Sequence, residues 1–398
     1  LLMDFNILTS VFVVVVIGGM GSLPGAYLAA VIISVVNVFG VTFLPQSTLV
    51  LIFVVMVLVL MIRPFGLFGR EEVAGEHGQV GEPETPIHPA GPRVRLLVAV
   101  GLVILAMLPL YGSSFSLVLA TDILIFCLFA ASLHFLLGIG GLVSFGHAAY
   151  FGGGAYVAAL LVTHANSPME LAFLLAPFGA GLAALIIGWI CLRLTGVYFA
   201  MLTLAFAQLL WSLVFQWGEV TGGDDGLVNI WPSEWLKAST TFYIFTLIFT
   251  VGGILLMRHV AHSPFGYALR AARDSERRAE ATGINTKRVR WMAFTLAGVM
   301  AGLAGGLFVF SKGSVFPNEL EIARSFDALI VVFLGGVKTL AGGVVGGAFF
   351  KGVEEILTRF EYWRLALGLL IIFVVIVAPQ GIVGTLRNMF RRHVKDET

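Results

Sequence analysis

The residue types able to do chemistry are scarce inside the apolar segments of this chain. Asp122, His134, Ser144, His147, Thr203 and Gln208 lie in or beside long hydrophobic runs. The sequence contains no G-x-x-x-x-G-K-[ST] phosphate loop, no H-E-x-x-H, no C-x-x-C and no polar cluster with metal-ligand spacing. The residues therefore argue against ATP hydrolysis and covalent catalysis by this chain, and no cofactor is expected. What remains is hydrogen-bonding chemistry in an apolar setting. Ionisable groups in hydrocarbon are costly and normally face a bundle interior. Asp122 lies near one end of its segment and can reach water, and His134 and His147 read first as satisfied structural histidines. Ser144 can bond its own helix backbone. Gln208, in mid-segment, needs a partner from another helix or a place on a translocation path. The Gly152-Gly153-Gly154 run either permits close helix approach or marks a broken helix along the path. Ser144, His147, Gly152, Gly153, Thr203 and Gln208 are the candidate path residues.

The one long charged interruption runs from Arg258 to Arg290. It carries eight basic residues (Arg258, Arg270, Arg273, Arg277, Arg278, Lys287, Arg288, Arg290) against three acids (Asp274, Glu276, Glu280). The bias of Lys and Arg toward cytoplasmic loops places it in the cytoplasm. Ser263-Pro264 is a helix start, with Pro at the first helical position, and Gly283 a suitable stop. The spacing predicts one short helix between them. Two readings stand open on the residues alone: a handle for a cytoplasmic partner, or a solvated loop that fixes topology.

The elements that must position these residues are helices in a bilayer. Hydrophobic residues make up 58% of the chain and charged residues 12%, and the mean hydropathy is +0.96. A soluble domain carries roughly 25% charged residues, so the chain reads as an all-α, polytopic transmembrane helical bundle. Cys127 and Cys191 both fall in apolar spans and imply no disulfide framework. A net charge of +1 gives no basis for a nucleic-acid partner.

About three spans are expected within 1–70 and ten apolar segments within 93–398, at 96–111, 115–137, 142–163, 171–192, 197–217, 241–257, 291–311, 327–337, 342–357 and 363–378. Several fall short of the roughly 20 residues that cross a bilayer and are expected to be half-spans or protein-covered helices. Ten crossings starting inside put the C-terminus, with Arg387, Arg391, Arg392 and Lys395, in the cytoplasm. Gly218–Ser239 and Lys312–Ser325 then fall outside. Between the two parts, Glu71–Pro92 holds five acids, four prolines and no Lys or Arg, the composition of a disordered cytoplasmic linker. The opening at Leu1, inside an apolar pattern, suggests a fragment or an altered start.

An internal repeat sharpens the organisation. Val15–Gly25 (V-V-I-G-G-M-G-S-L-P-G) resembles Val332–Gly342 (V-F-L-G-G-V-K-T-L-A-G). Each is followed by apolar helices and a matching end, P-F-G-L-F-G at 64–69 and P-Q-G-I-V-G at 379–384. Residues 1–70 thus read as the tail of a unit whose complete version is 93–398.

Gly141–Tyr156 (G-L-V-S-F-G-H-A-A-Y-F-G-G-G-A-Y), Thr195–Phe206 and the T-G-G-D-D-G-L loop at 221–227 resemble the permease subunits of branched-chain amino acid ABC importers. The stretches Ser263–Arg270 and Glu280–Asn285 are similar to that family's cytoplasmic loop. Residues 93–398 resemble the LivM-like subunit over its length, and 1–70 the C-terminal end of its LivH-like companion. The resemblance implies a permease importing leucine, isoleucine or valine across a bacterial plasma (inner) membrane. Partners implied are cytoplasmic ABC ATPase subunits that bind the ATP, a LivH-like permease or second copy, and a periplasmic or extracellular substrate-binding protein. It favours the docking reading of the loop, with Ser263, Gly266, Leu269, Arg270, Arg273, Glu276, Glu280 and Gly283 as its coupling residues. Alternatives are the same architecture for urea, a short amide or another small solute, an ion-coupled secondary transporter, and a membrane-embedded enzyme. The near-absence of paired buried acids and bases counts against the secondary transporter, and no catalytic constellation supports the enzyme. As a tether with an r.m.s. span on the order of 5–6 Å times the square root of its length, Glu71–Pro92 should be cut by protease in inside-out vesicles while the spans survive. Protection in that orientation would refute it.

Overall fold

The structure, a computed structural model, describes residues 11–19, 21–43, 48–63, 65–69, 91–339 and 341–385. The expected linker, apart from Gly91 and Pro92, and the four basic residues near the C-terminus lie outside the described residues. The helices are α1 (Leu23–Phe43), α2 (Thr48–Ile62), α3 (Pro92–Tyr111), α4 (Ser114–His134), α5 (Ala148–Thr163), α6 (Met169–Cys191), α7 (Gly196–Gln216), α8 (Ser239–Ala261), α9 (Pro264–Asp274), α10 (Glu276–Ala281), α11 (Thr286–Lys312), α12 (Ile322–Gly335), α13 (Gly342–Leu357) and α14 (Trp363–Val377). The fold is all-α, and all ten apolar segments of 93–398 appear as helices.

Among the described residues, seven helical stretches are long and apolar enough to cross a membrane, one of them α1 and the other six beyond residue 93. The exceptions have physical causes. α12 and α13, of 14 and 16 residues, are too short to span alone and pack as an antiparallel pair. The segment expected from 142 begins only at Ala148. Before it, α4 ends in a π-helical turn at Phe135–Ile139, and Gly141 takes a φ of +67°, which favours glycine.

The core is organised by α11, whose small residues let two neighbours approach. A Cβ on Gly298, Gly302 or Gly306 would run into the Cβ of Ala184, Ala180 or Ala176 of α6 in turn. On a second face, Gly302 backs directly on Gly154, and Gly305 on the Phe151 carbonyl of α5. The four-residue steps on α11 and α6 run in opposite directions, as in an antiparallel small-residue seam. Gly152 meets Leu320 instead, and Gly153 faces open space. The glycine run of α5 thus serves close approach, while the chain break lies just before it.

The two connections expected on one side of the membrane do meet. β1 (Leu227–Val228) and β2 (Ser314–Val315) form a two-residue antiparallel ladder, with Leu227 opposite Val315. Lys312 Nζ reaches Asp122 Oδ2 at 2.6 Å, so Asp122 is held in an ion pair through that oxygen, while its Oδ1 has no hydrogen-bond partner among the described residues.

The sequence repeat is also a repeat of contacts. Gly18 abuts Gly25, and Gly335 abuts Gly342. Gly19 (φ +95°) is packed by Gly66 (φ +80°), and Gly336 (φ +109°) by Gly381 (φ +76°). Gly66 N donates to Arg63 O at 2.9 Å and Gly381 N to Ala378 O at 2.8 Å, at matching places in the two ends. Each glycine break is latched by its own Pro-x-Gly-x-x-Gly end. Gly336→Ala should therefore cost about 1–3 kcal/mol, through a strained φ and a collision with the Gln380 carbonyl. Gly352→Ala, in open space within α13, should be neutral or slightly stabilising. Thermal unfolding of the purified variants in detergent checks the difference.

Candidate functional site

The basic loop folds as two helices rather than the single one expected. Ser263 caps α9 by accepting from Gly266 N at 3.4 Å. Ser275 then takes an extended backbone (φ −162°) and caps α10 by accepting from Arg278 N. A serine side chain that satisfies helix N–H donors competes with helix continuation, and this splits the element. Gly283 (φ +86°) ends the loop, and Asn285 caps α11 by accepting from Arg288 N at 3.0 Å.

α9 is amphipathic, with Gly266, Leu269 and Ala272 buried. Several of the expected coupling residues turn inward and clamp the loop to the bundle. Arg270 Nη2 donates to Ala261 O, the C-terminus of α8, at 2.8 Å, and its guanidinium lies 4.4 Å from the Tyr267 ring centroid. Arg273 Nη1 donates to Gly138 O in the π turn of α4 at 2.6 Å. Arg290 bridges Glu276 Oε2 at 2.9 Å and the Ala272 carbonyl at 2.8 Å. Thr286 Oγ1 lies 2.9 Å from Glu280 Oε1. The outward cations are Arg277, Arg278, Lys287 and Arg288, all exposed. The clamp role of Arg290 was not singled out in the sequence. Its signal was its spacing: one helical turn beyond Thr286, opposite Glu276 across a short loop.

The candidate path residues gather at the break before α5. Ser144 and His147 are fully buried, Thr203 is 1% exposed and Gln208 7% exposed. Ser132 Oγ donates to Phe129 O at 2.6 Å and shares a 2.8 Å hydrogen bond with His147 Nε2. A hydroxyl has one proton, so Ser132 accepts from His147 Nε2–H. His147 Nδ1 is then a bare acceptor, and it has no partner among the described residues, nor does Ser144 Oγ. Thr203 Oγ1 donates to Ala200 O at 2.6 Å and accepts from Phe145 N at 3.2 Å. Ser325 Oγ accepts from Ala148 N at 2.8 Å. Gln208 has no hydrogen-bond partner among the described residues, which leaves the other of its two expected readings, a place on a translocation path. The structure thus brings Ser144, His147 and Thr203 together, and holds Gly152 one turn into α5 against Leu320. This polar break is closed to solvent. His134 is structural as expected, its Nε2 lying 3.0 Å from Val337 O in the α12–α13 turn.

Comparison with known proteins places this architecture. The model of the branched-chain amino acid transport system permease component matches residues 116–378. The chain belongs to that family. It is 27% identical over 326 residues to the high-affinity branched-chain amino acid transport system permease protein LivM of Salmonella typhimurium, covering 75% of this chain and 76% of the relative. The Salmonella typhimurium LivH permease protein is 25% identical over 269 residues, covering 62% and 87%. The autoinducer 2 import system permease protein LsrC of Klebsiella pneumoniae is 28% identical over 195 residues, covering 47% and 53%. No solved structure matches the chain. This family member is a multi-pass membrane permease, and its relatives are transport permeases.

The clamp makes a local prediction. Glu276→Gln removes the charge paired with Arg290 and should destabilise the loop by about 1–3 kcal/mol. Hydrogen exchange should then speed up over 264–283 and remain unchanged in α11 beyond its first turns. Unchanged exchange over 264–283 would mean that the pair does not hold the loop.

Proposed function

We propose that the chain is the membrane-spanning permease of an ATP-driven importer that carries leucine, isoleucine or valine into the cytoplasm. The observation that carries this reading is the α9–α10 pair. It is a rigid, capped element clamped to α4, α8 and α11 by Arg273, Arg270 and Arg290, with Arg277, Arg278, Lys287 and Arg288 left facing outward. A loop that only fixed topology would not need three arginines spent on positioning it. A rigid basic handle suits docking on a cytoplasmic ATPase, which supplies the free energy. A substrate-binding protein delivers the solute on the other side, at the face formed by β1, β2 and their flanking loops.

Several finer points belong to this reading. The basic loop and the C-terminus lie in the cytoplasm of a bacterial inner membrane. Residues 1–70 are the C-terminal piece of a LivH-like unit joined through 71–92 to a LivM-like unit, which is supported by the duplicated glycine latch. A LivH-like permease or second copy completes the transporter. The chain binds no cofactor of its own and is not an enzyme. The similarity to LsrC favours one second reading, the same architecture carrying another small solute.

The inward placement of Arg270 and Arg273 moves the test of docking to the outward cations. Arg277→Glu with Arg278→Glu should abolish uptake of labelled leucine by vesicles containing the ATPases and the binding protein, while membrane insertion and elution profile stay normal. Normal uptake by this double variant would sink the docking role. Accumulation of urea or a sugar without competition from leucine would overturn the cargo.

A further inference from the structure

Five ionisable side chains converge where α5, α11, α12 and α13 meet, although nothing in their spacing along the chain pairs all five. Glu319 lies in the short turn before α12. Arg324 and Asp327 are three residues apart on α12, and Lys351 and Glu354 three apart on α13, so each pair shares a helix face. Arg324 Nη2 is 2.9 Å from Glu319 Oε2, with the two side chains 22% and 17% exposed. Lys351 pairs with Glu354, at 20% and 24%. No Asp, Glu, Lys or Arg is fully buried among the described residues, in line with the expected near-absence of paired buried acids and bases, and these pairs are partly buried. Arg324 and Lys351 are 27 residues apart in sequence, and only the fold of the α12–α13 hairpin brings them together.

The pairing is incomplete in a specific way. Two cations are matched by two acids, and Asp327 is left over, as is Glu321 next to Glu319. Asp327 feels the charges of Arg324, Lys351, Glu354 and Glu319, yet makes no hydrogen bond or ion pair among the described residues. Two donors are left without a hydrogen bond as well, and so is one further acceptor, Glu319 Oε2, which meets Arg324 only as an ion pair. Arg324 Nε and the Tyr156 hydroxyl are buried without an acceptor, and Tyr156 is only 3% exposed. Aromatic rings close the surroundings. The Arg324 guanidinium lies 5.9 Å from the Phe151 ring centroid and 5.8 Å from that of Phe308, and Lys351 Nζ lies 5.1 Å from that of Phe126. A purely structural ion-pair network gains nothing from leaving two buried donors and a buried Glu319 oxygen without a hydrogen bond in an apolar bundle, where each unsatisfied group is penalised.

Spare acceptors on Asp327 and Glu319 together with the spare donors Arg324 Nε–H and Tyr156 O–H are the complement of an α-amino acid head group. We propose that this cluster is a binding site for a zwitterionic α-amino acid on its way through the permease. The Asp327 carboxylate accepts from the ligand ammonium, while Arg324 Nε–H and the Tyr156 hydroxyl donate to the ligand carboxylate. Phe151 and Phe308 supply apolar surface for a short side chain. The assignment rests on the importer reading for its cargo, but its chemistry can be tested by binding alone.

The test is equilibrium binding of labelled leucine to the purified full chain in lipid nanodiscs. Leucinamide, which lacks the carboxylate, and 4-methylpentanoate, which lacks the ammonium, should each compete at least about tenfold more weakly than leucine. Asp327→Asn should weaken leucine binding at least about tenfold, and Tyr156→Phe several-fold, roughly the loss of one hydrogen bond to a charged group. Asp327→Glu should retain most of it, and elution profile and thermal unfolding should be unchanged. If Asp327→Asn fails to fold, Tyr156→Phe decides. Absence of leucine binding by the wild type at millimolar concentration overturns the site, as does binding by the folded variants equal to wild type. Equal competition by either analogue does so too. Binding that passes these tests, in a chain that shows no ATP-driven uptake, upholds the site and rejects the importer. Normal leucine uptake by Asp327→Asn does the reverse.

Discussion

The architecture depends on how closely backbones can approach α11. Its glycines at 298, 302 and 306 face alanines at 184, 180 and 176 of α6, while 302 and 305 face the backbone of α5. In an apolar solvent, burying apolar side chains gives helices little reason to associate, so contact at van der Waals distance and cross-helix hydrogen bonds carry the packing. A Cβ at these glycines would push α5 or α6 outward. The polar break before α5 and the Tyr156 hydroxyl are held in place by that same contact, because both ride on α5.

A second constraint is the need to satisfy polar backbone where helices are interrupted inside an apolar body. The structure meets it with side chains that sit far away in sequence. Ser325 accepts from the first amide of α5, Thr203 accepts from Phe145 N, and Arg273 caps a carbonyl of the π turn. The interruptions are therefore not loose ends. They are the points at which α4, α5, α7, α9 and α12 are tied together.

Much of this was legible in the sequence. Every apolar segment beyond residue 93 became a helix, because its length and composition leave the backbone no other way to satisfy itself in hydrocarbon. The duplicated glycine motif foretold a duplicated contact, since both partners in each latch belong to the repeat. Other features depend on which side chains meet across helices. Nothing in the residues around Arg270 or Arg273 reveals that their guanidinium groups face inward. The charges of 319–327 and 351–354 were read as parts of separate segments. Ser275 was visible as a helix breaker only through the cap it makes with Arg278 N.

The hydrogen bond from Arg273 to Gly138 has a mechanical consequence. Gly138 lies in the π turn, the part of α4 whose backbone is already wound away from α-helical geometry. The side chain of Arg273 also packs against Gly141, at a left-handed φ. A displacement of α9 is thus applied at the compliant joint of α4 rather than along its stiff shaft. The joint leads within nine residues from Gly138 to His147, whose ring stacks on Phe129 at 5.6 Å between centroids. Arg273 therefore ties the surface loop to the turn from which the chain runs on to the buried histidine.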